Sequence, residues 1–279
     1  MEYIVITGVS TGIGYDAARY LIEKGYYIFG SVRKQSDADG LKVDFGDRFT
    51  PLVFDVTDIK GIKNAASQVK AIVGNTGLKA LVNNAGIAVL GPLMHLPVEE
   101  FRKQLDVNVL GVFSVTQAFL PLLGADKKTK QSSSRIINIS SVSGKIAFPF
   151  LGAYAASKHA LEGMSDSLRR ELKLYDIDVI LIEPGNIITP IQDKSRKYFN
   201  RFQKTDYASI LEGAGPILED RLKFAMSVEV VSRTIHKAIT SKTPKVRYPL
   251  PNKWISGWYL PRFLPARIVD SLVAKAFGI

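Results

Sequence analysis

The sequence predicts an α/β fold in which a doubly wound parallel sheet of about seven strands carries helices on both faces. Short runs rich in β-branched and aromatic residues alternate with longer helical patterns, which is the order that parallel sheets require. The short runs are continuously apolar, as is typical of strands that are buried on both faces. No internal repeat, low-complexity tract or linker divides the chain, so we predict a single domain over residues 1–279.

The predicted elements follow one another regularly. The strands are expected at Tyr3–Thr7, Tyr27–Val32, Thr50–Asp55, Ala80–Asn83, Ser134–Ser140, Val179–Glu183 and Lys245–Tyr248. The helical patterns lie at Ile13–Lys24, Ile59–Val73, Val98–Leu123, Gly152–Leu174 and Val228–Ser241. Crossovers in such sheets are right-handed, and ligands bind beyond the carboxyl ends of the strands, where the strand order reverses.

Composition excludes several kinds of site. The chain has no cysteine, so disulfides and thiolate metal sites are ruled out. The histidines His95, His159 and His236 have no metal-ligand spacing, so we predict no metal site, and no Gly-x-Ser-x-Gly elbow supports serine hydrolysis. The apolar N-terminal run is too short for a secretory signal, and Pro, Lys or Arg interrupts every long apolar stretch. We therefore expect a cytoplasmic protein without a membrane span.

The net charge of +11 is unevenly distributed, because residues 190–279 hold 16 Lys or Arg and 7 Asp or Glu. A basic region of this kind can bind nucleic acid, anionic lipid or an acidic ligand, or it can be a solvated surface. The charges are scattered and form no arginine-rich tract. We favour the solvated surface and expect no nucleic-acid binding.

A glycine-rich segment, Thr-Gly-Val-Ser-Thr-Gly-Ile-Gly at residues 7–14, joins the first predicted strand to the first helix. Glycine lets the backbone approach a ligand closely, and the helix that follows offers unpaired N–H groups to a pyrophosphate. The alternative is a tight turn without a ligand. The strand-to-helix context favours a dinucleotide site of the Rossmann type. Its expected contacts are Gly8, Ser10, Thr11, Gly12, Ile13 and Gly14.

The residues after the second strand bear on the choice of cofactor. Folds that bind NAD usually carry an acidic residue there, which holds the ribose hydroxyls. This chain has Arg33 and Lys34 instead, and Arg33 can donate a forked pair of hydrogen bonds to a 2′-phosphate. Unless both are solvated loop cations, they favour NADP(H) over NAD(H).

Further candidates follow the third and fourth strands. Asp55 and Val56 end the third strand, and Asn84, Ala85 and Gly86 follow the fourth. All would lie beside the adenine half of a dinucleotide. There Asp55 can accept from the adenine amino group, and Asn84 can brace the glycine loop. Taken alone, either residue is equally consistent with a turn or a cap.

Together these motifs resemble the short-chain dehydrogenase/reductase family. The likeness rests on the glycine loop, Asp55, Asn-Asn-Ala-Gly at 83–86, Asn108, Ser141, Tyr154-x3-Lys158 and Pro184-Gly185-x3-Thr189, in that order and spacing. It covers residues 3–190 and extends more loosely to 250. The segments 108–113 and 183–190 look like the branch that handles steroids, retinoids and related apolar alcohols. The resemblance implies a Rossmann fold and an oxidoreductase that uses a nicotinamide cofactor.

Tyr154 and Lys158 are the expected catalytic pair. Four residues apart on a helix, they share one face, and an ammonium group favours the phenolate and lowers the pKa of the tyrosine. Alone, such a pair is more often an ordinary surface contact. The resemblance adds Ser141, which would hydrogen-bond the substrate oxygen, and gives Lys158 a second task at the nicotinamide ribose. It also adds Asn108, either as support for a water chain from Lys158 to solvent or as a buried structural amide. The family's remaining cofactor contacts fall on Pro184, Gly185, Ile187 and Thr189.

Aromatic residues are frequent on the expected substrate side. Phe148 and Phe150 precede Tyr154, and Phe199 and Phe202 lie in a segment, residues 190–225, that we expect to cover the site as a lid. With Ser141 and Tyr154 they would line a pocket for a bulky apolar substrate, although core packing would use the same phenylalanines. Residues 250–279 form a C-terminal extension that closes the pocket, packs on a partner subunit or rests on a membrane surface.

These observations predict an NADP(H)-dependent oxidoreductase, with NAD(H) as a second cofactor. It would interconvert an alcohol and its ketone or aldehyde on a steroid, a retinoid or a lipid-like substrate. The resemblance also implies a homodimer or homotetramer, because in the family the helices at 98–123 and 152–174 pair across a two-fold axis. Here Ala155, Ala156, Ala160 and Gly163 allow close helix approach. Two other functions fit less well: a catalytically silent redox sensor of the same fold, and a basic-surface binder of nucleic acid or anionic lipid.

Overall fold

The computed structural model describes residues 1–125, 134–188, 200–211, 213 and 225–279. Within them, seven parallel strands form one sheet in the order β3-β2-β1-β4-β5-β6-β7, and the order reverses between β1 and β4. The predicted doubly wound fold is confirmed. The strands are β1 (Tyr3–Ile6), β2 (Tyr27–Val32), β3 (Phe49–Val53), β4 (Ala80–Asn83), β5 (Arg135–Ile139), β6 (Asp178–Pro184) and β7 (Arg247–Leu250).

Helices cover both faces of this sheet. They are α1 (Gly12–Glu23), α2 (Gln35–Phe45), α3 (Ile59–Val73), α4 (Val98–Leu105), α5 (Val112–Phe119), α6 (Gly152–Glu171), α7 (Val228–Thr240), α8 (Leu260–Phe263) and α9 (Ala266–Phe277). A π-helical turn, Asp106–Gly111, separates α4 from α5 within the predicted helix over 98–123. The sequence pattern does not predict α2, because this segment is polar and buries only three side chains, Ala38, Leu41 and Phe45.

Two apolar layers hold the helices on the sheet. On one face, Leu21 of α1 and Ile235 of α7 share a buried cluster with Ile4 of β1. On the other face, Phe119 of α5 packs in a second cluster that contains Val5. Neighbouring residues of β1 thus point to opposite faces, and Ile4, Val5 and Ile6 are all buried, which explains why such a strand appears in the sequence as a continuous apolar run.

Each edge strand contains one proline. Pro51 lies in β3 and Pro249 in β7. Just after β3, the N–H of Phe54 bonds inward to β2, and the carbonyl oxygen of Leu250 bonds inward to the chain after β6. Successive residues of a strand point their backbone N–H and C=O groups to alternate sides. The backbone nitrogens of both prolines therefore face away from the sheet. Proline has no N–H to donate, so these outward positions are where a sheet tolerates it.

One helical stretch, Val98–Leu123, is long and apolar enough by composition to cross a membrane. The sequence analysis predicted no span. Core helices of globular proteins have the same composition, and this stretch packs the fully buried Phe119 and Leu123 against the sheet. It also places the polar side chains of Gln104 and Asn108 in buried hydrogen bonds. These contacts mark it as a helix of the fold.

Candidate active site

The glycine loop lies between β1 and α1, at the carboxyl edge of the sheet beside the reversal of strand order. Gly8 and Gly12 have φ angles of 72° and 62°, in the left-handed region that favours glycine. At Gly14, a Cβ would lie 2.1 Å from the carbonyl oxygen of Gly8. The first turn of α1 can therefore approach the loop only without a side chain at this position.

Asn84 braces this loop from the neighbouring strand, as the sequence predicts. Its Nδ2 donates to the carbonyl oxygens of Thr7, at 2.9 Å, and Gly8, at 3.0 Å. The Thr7 hydroxyl oxygen accepts in return from the N–H groups of Asn84 and Ala85, each at 3.0 Å. Ser31 adds a further support, because its Oγ accepts from the Gly8 N–H at 3.0 Å. The shape of the loop is set by the protein's own contacts.

The other side of the loop is open to a ligand. Ser10 and Thr11 are exposed, and Ile13 is half-buried. The Thr11 side chain makes no capping hydrogen bond, and the first turn of α1 carries no acidic residue. The positive end of the helix dipole is therefore uncompensated, next to a backbone that a phosphate can approach at Gly12. This combination fits the diphosphate of a dinucleotide.

Arg33 and Lys34 follow β2 at the same edge of the sheet, and both side chains are exposed. Neither forms an ion pair within the part of the chain that the structure describes. The Arg33 guanidinium is thus free of the described acids and can meet a phosphate beside the ribose.

Asp55 has a local structural task. Its Oδ1 accepts from the N–H of Thr57 at 2.9 Å and from the Thr57 hydroxyl at 2.7 Å, which closes the turn after β3. Val56 is buried beneath this turn. Gly86 lies against the catalytic side of the site, since a Cβ there would be 3.3 Å from Asn108 Oδ1. Asp55 therefore closes a turn, which is one of the two roles that its sequence position allows. Only its second carboxylate oxygen would be available to an adenine.

Tyr154 and Lys158 project side by side from α6. Lys158 Nζ lies 5.7 Å from the centroid of the Tyr154 ring, as the spacing of four residues predicts. Lys158 is almost fully buried, and its Nζ donates to the carbonyl oxygen of Ile139 at 2.8 Å. The ammonium group is held against the end of β5.

Burial is the main influence on both ionisable groups. It raises the pKa of Tyr154 above 10, and a hydrogen bond with Ser141 only partly opposes this. Burial also lowers the pKa of Lys158 to about 8, against the attraction of Glu162. The expected lowering of the Tyr154 pKa by Lys158 is therefore not seen in this structure, where desolvation of the phenolate raises that pKa and Ser141, not the ammonium group, provides the opposing influence. At neutral pH, Tyr154 is an uncharged phenol.

Ser141 stands next to Tyr154, at the start of a short 3-10 turn over residues 142–144. Its Oγ accepts from the N–H of Ser143 at 3.1 Å, and it donates to the carbonyl oxygen of Pro184 at 3.4 Å. The neighbouring Ser140 is buried, and its Oγ has no hydrogen-bond partner among the described residues. Of the three serines, Ser141 is the one that influences the pKa of Tyr154, through a hydrogen-bonding contact that lowers it.

Asn108 lies in the π-helical turn, a feature that is frequent at functional sites. Its Oδ1 accepts from the Ile87 N–H at 2.9 Å, and its Nδ2 donates to the Ile87 carbonyl oxygen at 3.0 Å and to Ser157 Oγ at 3.1 Å. Ser157 Oγ donates in turn to the Tyr154 carbonyl oxygen at 2.7 Å. Asn108 thus ties the chain after β4 to the helix that carries Tyr154. These contacts match the interpretation of Asn108 as a buried structural amide. Its part in a water chain stays a prediction.

Gln104 supports the same segment and was not predicted. It is fully buried one turn before Asn108. Its Oε1 accepts from the Val89 N–H at 2.7 Å, and its Nε2 donates to the Ile87 carbonyl oxygen at 2.9 Å. A glutamine within a helical pattern predicts an exposed position, so no sequence signal distinguishes it.

The chain after β6 is fixed by Asn252, which was not predicted either. A Cβ on Gly185 would be 2.3 Å from Asn252 Oδ1, and that oxygen accepts from the Asn186 N–H at 2.6 Å. Asn252 follows β7, 66 residues further along the chain, so no local motif points to it. The predicted contacts of this segment are Pro184, Gly185 and Ile187, which are described, and Thr189, which lies outside the described residues.

Phe150 and Phe202 form an apolar cluster on the expected substrate side. Both are buried, together with Leu211. The Phe150 ring contacts Tyr207 and Phe277, with centroids 5.8 Å and 6.2 Å apart. The φ angle of Phe150 is 66°, which residues other than glycine rarely adopt. Strained backbone of this kind is concentrated at functional sites.

The predicted lid over residues 190–225 is described only at 200–211, 213 and 225, so Phe199 lies outside the described residues. The Phe202 ring packs on the chain after β4, where a Cβ on Gly91 would be 2.5 Å from it. Phe148 is half-buried. A cleft of about 380 Å³ opens between this segment and the end of α9, lined by Ser209, Ile210, Gly213, Ala276, Phe277 and Gly278.

Fold and site together define a class of protein. A doubly wound parallel sheet with a braced glycine loop is typical of dinucleotide-binding proteins, and a tyrosine beside a lysine and a serine fits the site of a dinucleotide-dependent oxidoreductase. The chain belongs to the short chain dehydrogenase family, whose sequence profile matches residues 2–199.

Relatives match along the whole chain. It is 40% identical over 275 residues to the NADPH-dependent 3-dehydrocapnine reductase of Ornithobacterium rhinotracheale, covering 99% of this chain and 97% of that one. It is 34% identical to retinol dehydrogenase 16 of Mus musculus, over 98% and 87% of the two chains. A short chain dehydrogenase structure from Burkholderia cenocepacia in complex with NADP has the same fold, with a TM-score of 0.69, 21% identity and 100% and 97% coverage. The predicted family and the likeness to retinol dehydrogenases are confirmed.

Proposed function

We propose that this oxidoreductase uses NADPH to reduce the ketone of a bulky, lipid-like substrate to a secondary alcohol. The observation that carries the proposal is Tyr154, an uncharged phenol that hydrogen-bonds Ser141 and lies beside Lys158. The apolar cluster around Phe150 supports a substrate with a large apolar part. The name of the relative that is 40% identical supports both the cofactor and the direction.

The residues at the carboxyl edge of the sheet fit the cofactor. A side chain at Gly8 would be 2.9 Å from the Ala85 Cα, so the loop packs directly on the chain after β4, and its open side is at the exposed Ser10 and Thr11. The open end of α1 would hold the diphosphate, Arg33 the 2′-phosphate, and Lys158 the nicotinamide ribose. When bound, the nicotinamide supplies the hydride that reaches the carbonyl carbon.

The chain's own residues supply the proton. The Ser141 hydroxyl would hold the substrate oxygen, and Tyr154 would donate its phenolic proton to that oxygen as negative charge develops there. Because the pKa of Tyr154 is raised, the phenol keeps its proton at neutral pH and is poised as a general acid. Reduction uses this form directly, whereas alcohol oxidation needs the phenolate and is favoured at alkaline pH.

A screen of nicotinamide absorbance tests this function. NADPH and NADH are each offered with keto-steroids, retinal, long-chain ketones and short ketones. We expect NADPH oxidation with the bulky apolar ketones and little with the short ones. Cofactor binding without turnover on any carbonyl would favour the silent redox sensor. Salt-dependent binding of nucleic acid with little cofactor affinity would favour the basic-surface binder.

Arg33→Ala should remove most of the preference for NADPH over NADH. A hydrogen bond to a charged group contributes about 1.5–3 kcal/mol, so losing it should weaken the binding of NADPH by roughly ten- to a hundredfold and leave the binding of NADH unchanged. The measurement is kcat/KM for both cofactors. Arg102→Ala, which removes an exposed cation on α4, is the matched control. An unchanged preference in Arg33→Ala would make Arg33 a solvated loop cation.

We also propose that copies of the chain associate through α5 and α6. Ala156, Ala160 and Gly163 are exposed along one face of α6, and the neighbouring stretch exposes 55% of Leu110 and 46% of Phe113. Ala155, which was also predicted to face the partner, is buried within the fold and does not.

Ala160→Glu should therefore convert a dimer or tetramer into monomers, because it places an unpaired charge at the centre of that face. Light scattering at micromolar concentration measures the mass, and Lys173→Glu on the exposed end of the same segment should leave it unchanged. A monomeric wild-type protein would refute the association.

We further propose that the C-terminal extension contacts an anionic membrane on its cytoplasmic surface. It exposes large apolar side chains at Trp254, Ile255, Leu260, Phe263, Ile268 and Leu272. Residues 253–279 also carry four cations and a single acidic residue, Asp270. Apolar side chains flanked by cations are the composition of a peripheral membrane contact. The cleft beside Phe277 would then open near the lipid.

Phe263→Asp should weaken co-sedimentation with vesicles that contain phosphatidylglycerol. Phe263 is 79% exposed, and Val43→Asp, at a position 84% exposed on α2, is the matched control. Vesicles of phosphatidylcholine alone should bind less in all cases. Equal binding by wild type and Phe263→Asp would show that the extension has another role.

A further inference from the structure

Two glutamates lie inside the protein behind Lys158. Glu162 is one helical turn beyond Lys158 on α6 and is 3% exposed, and Glu183 on β6 is 0% exposed. Acidic side chains are almost never so deeply buried unless they are paired. The proton transfer described above uses neither of them.

The cations around the two glutamates are unequally shared. Arg247 Nε lies 2.9 Å from Glu162 Oε2 and 3.4 Å from Glu183 Oε1. Lys145 Nζ adds a second cation to Glu162 Oε2, at 3.0 Å. The other arm of Arg247 is taken by Asp166, with Nη2 at 2.8 Å from Oδ1. Glu183 therefore has one shared ion pair, with Arg247, and the more distant charge of Lys145 to balance a full charge.

Three carboxyl oxygens in this cluster lack a donor. Glu162 Oε1 and both oxygens of Glu183 are buried without a hydrogen-bond partner in the described part of the chain. Two ionised carboxylates are acceptors only, and they repel one another in a buried site. A single proton changes this, because a protonated Glu183 can donate to Glu162 and give two of these three oxygens a partner.

We propose that Glu162 and Glu183 form a buried acid pair that shares one proton at neutral pH, and that this pair is a positioning element that maintains the positive charge of Lys158. Glu162 acts on Lys158 directly from the same helix, and Glu183 on β6 joins it through the shared Arg247 Nε. Among the described residues, the other charged groups around the pair are Lys145, Arg247 and Asp166, and Tyr154 lies beside Lys158.

The titration of these groups agrees with this arrangement. Burial, followed by the charge of Glu162, raises the pKa of Glu183 to about 8, and the hydrogen bond that a protonated Glu183 would donate to Glu162 acts in the same direction. Burial lowers the pKa of Lys158 to about 8, and the charge of Glu162 opposes this. The acid pair and Lys158 thus titrate in the same range. As the pH rises, the pair loses its proton and gains a negative charge, which helps Lys158 to keep its own proton.

An infrared spectrum tests the shared proton without any turnover. The wild-type protein should show the carbonyl stretch of a protonated carboxylic acid at neutral pH, and Glu183→Gln should lose it. Glu171→Gln, at an exposed acid on the same helix, should retain it. A wild-type spectrum without this band at neutral pH would overturn the proposal.

Unfolding by urea gives a second readout that is also independent of activity. The folded-state pKa of Glu183 is raised, so its contribution to stability is present below about pH 4.5 and is lost as the pH rises toward about 8. Wild type should lose stability over this window, and Glu183→Gln should lose less. Equal slopes in the two proteins would contradict the pair.

The effect on Lys158 rests on the proposed function and is tested by the pH profile of kcat/KM for NADPH-dependent reduction. In Glu162→Gln, the alkaline decline should begin at least about one pH unit lower than in wild type, which is a tenfold change in proton affinity. Glu171→Gln should keep the wild-type profile. If Glu162 had only a structural role, Glu162→Gln would lower the rate at every pH without shifting the pH of the alkaline decline. That result would refute the positioning role. The infrared test of the shared proton does not depend on it.

Discussion

Tyr154→Phe should lower kcat by about 10²–10⁴-fold, the usual contribution of a general acid or base, and leave the Kd of NADPH nearly unchanged. The substitution removes one hydroxyl group. It takes away the proton that the substrate oxygen needs and the hydrogen bond with Ser141. The ring stays beside Lys158, so the contact between the ammonium and the aromatic face is kept.

Two measurements on the same variant decide the role of Tyr154. Single-turnover kinetics report the chemical step, and fluorescence titration reports cofactor binding. Tyr259→Phe, at a half-exposed tyrosine of the C-terminal extension, is the matched control and should behave as wild type. Activity of Tyr154→Phe within about tenfold of wild type would exclude Tyr154 as the proton donor.

Lys158→Ala should damage the rate and the affinity for the cofactor together. Lys158 Nζ already donates to the Ile139 carbonyl oxygen, so the ammonium is fixed at the end of β5, and under the proposed function it also bonds the nicotinamide ribose. Losing a charged hydrogen bond to the ribose should weaken the binding of the cofactor by roughly ten- to a hundredfold. Losing the charge beside Tyr154 should slow the proton transfer further.

Lys158→Met separates loss of charge from loss of volume. It fills most of the space of the lysine stem, so a cavity beside α6 is avoided, and it should show the same two defects as Lys158→Ala. A stable Lys158→Met protein with normal cofactor affinity would mean that Lys158 acts only through Tyr154.

The cofactor half of the site could be predicted because its geometry is local. The glycines at 8, 12 and 14 are needed by the turn from β1 into α1, and a turn of this kind is encoded by consecutive residues. Asn84 could be placed in the same way, since the end of β4 lies beside β1 in any sheet whose order reverses there.

The residues that support the catalytic half could not be predicted, since their partners are far away in the sequence. Asn252 meets Asn186 across 66 residues, and Arg247 meets Glu162 across 85. No local pattern distinguishes such an asparagine or arginine from an exposed one. The pKa of Tyr154 was predicted in the wrong direction for a related reason, because burial depends on the whole fold and the Tyr–Lys spacing does not report it.

The two outward-facing prolines restrict how this protein can be built into larger structures. Each border of the sheet lacks one amide donor, at Pro51 on one side and Pro249 on the other. A strand from another molecule laid along either border would meet a gap in its ladder, so growth of a continuous intermolecular sheet is interrupted at both ends. We therefore expect copies that lose their helical contacts to separate as individual molecules, with neither border able to seed a fibril.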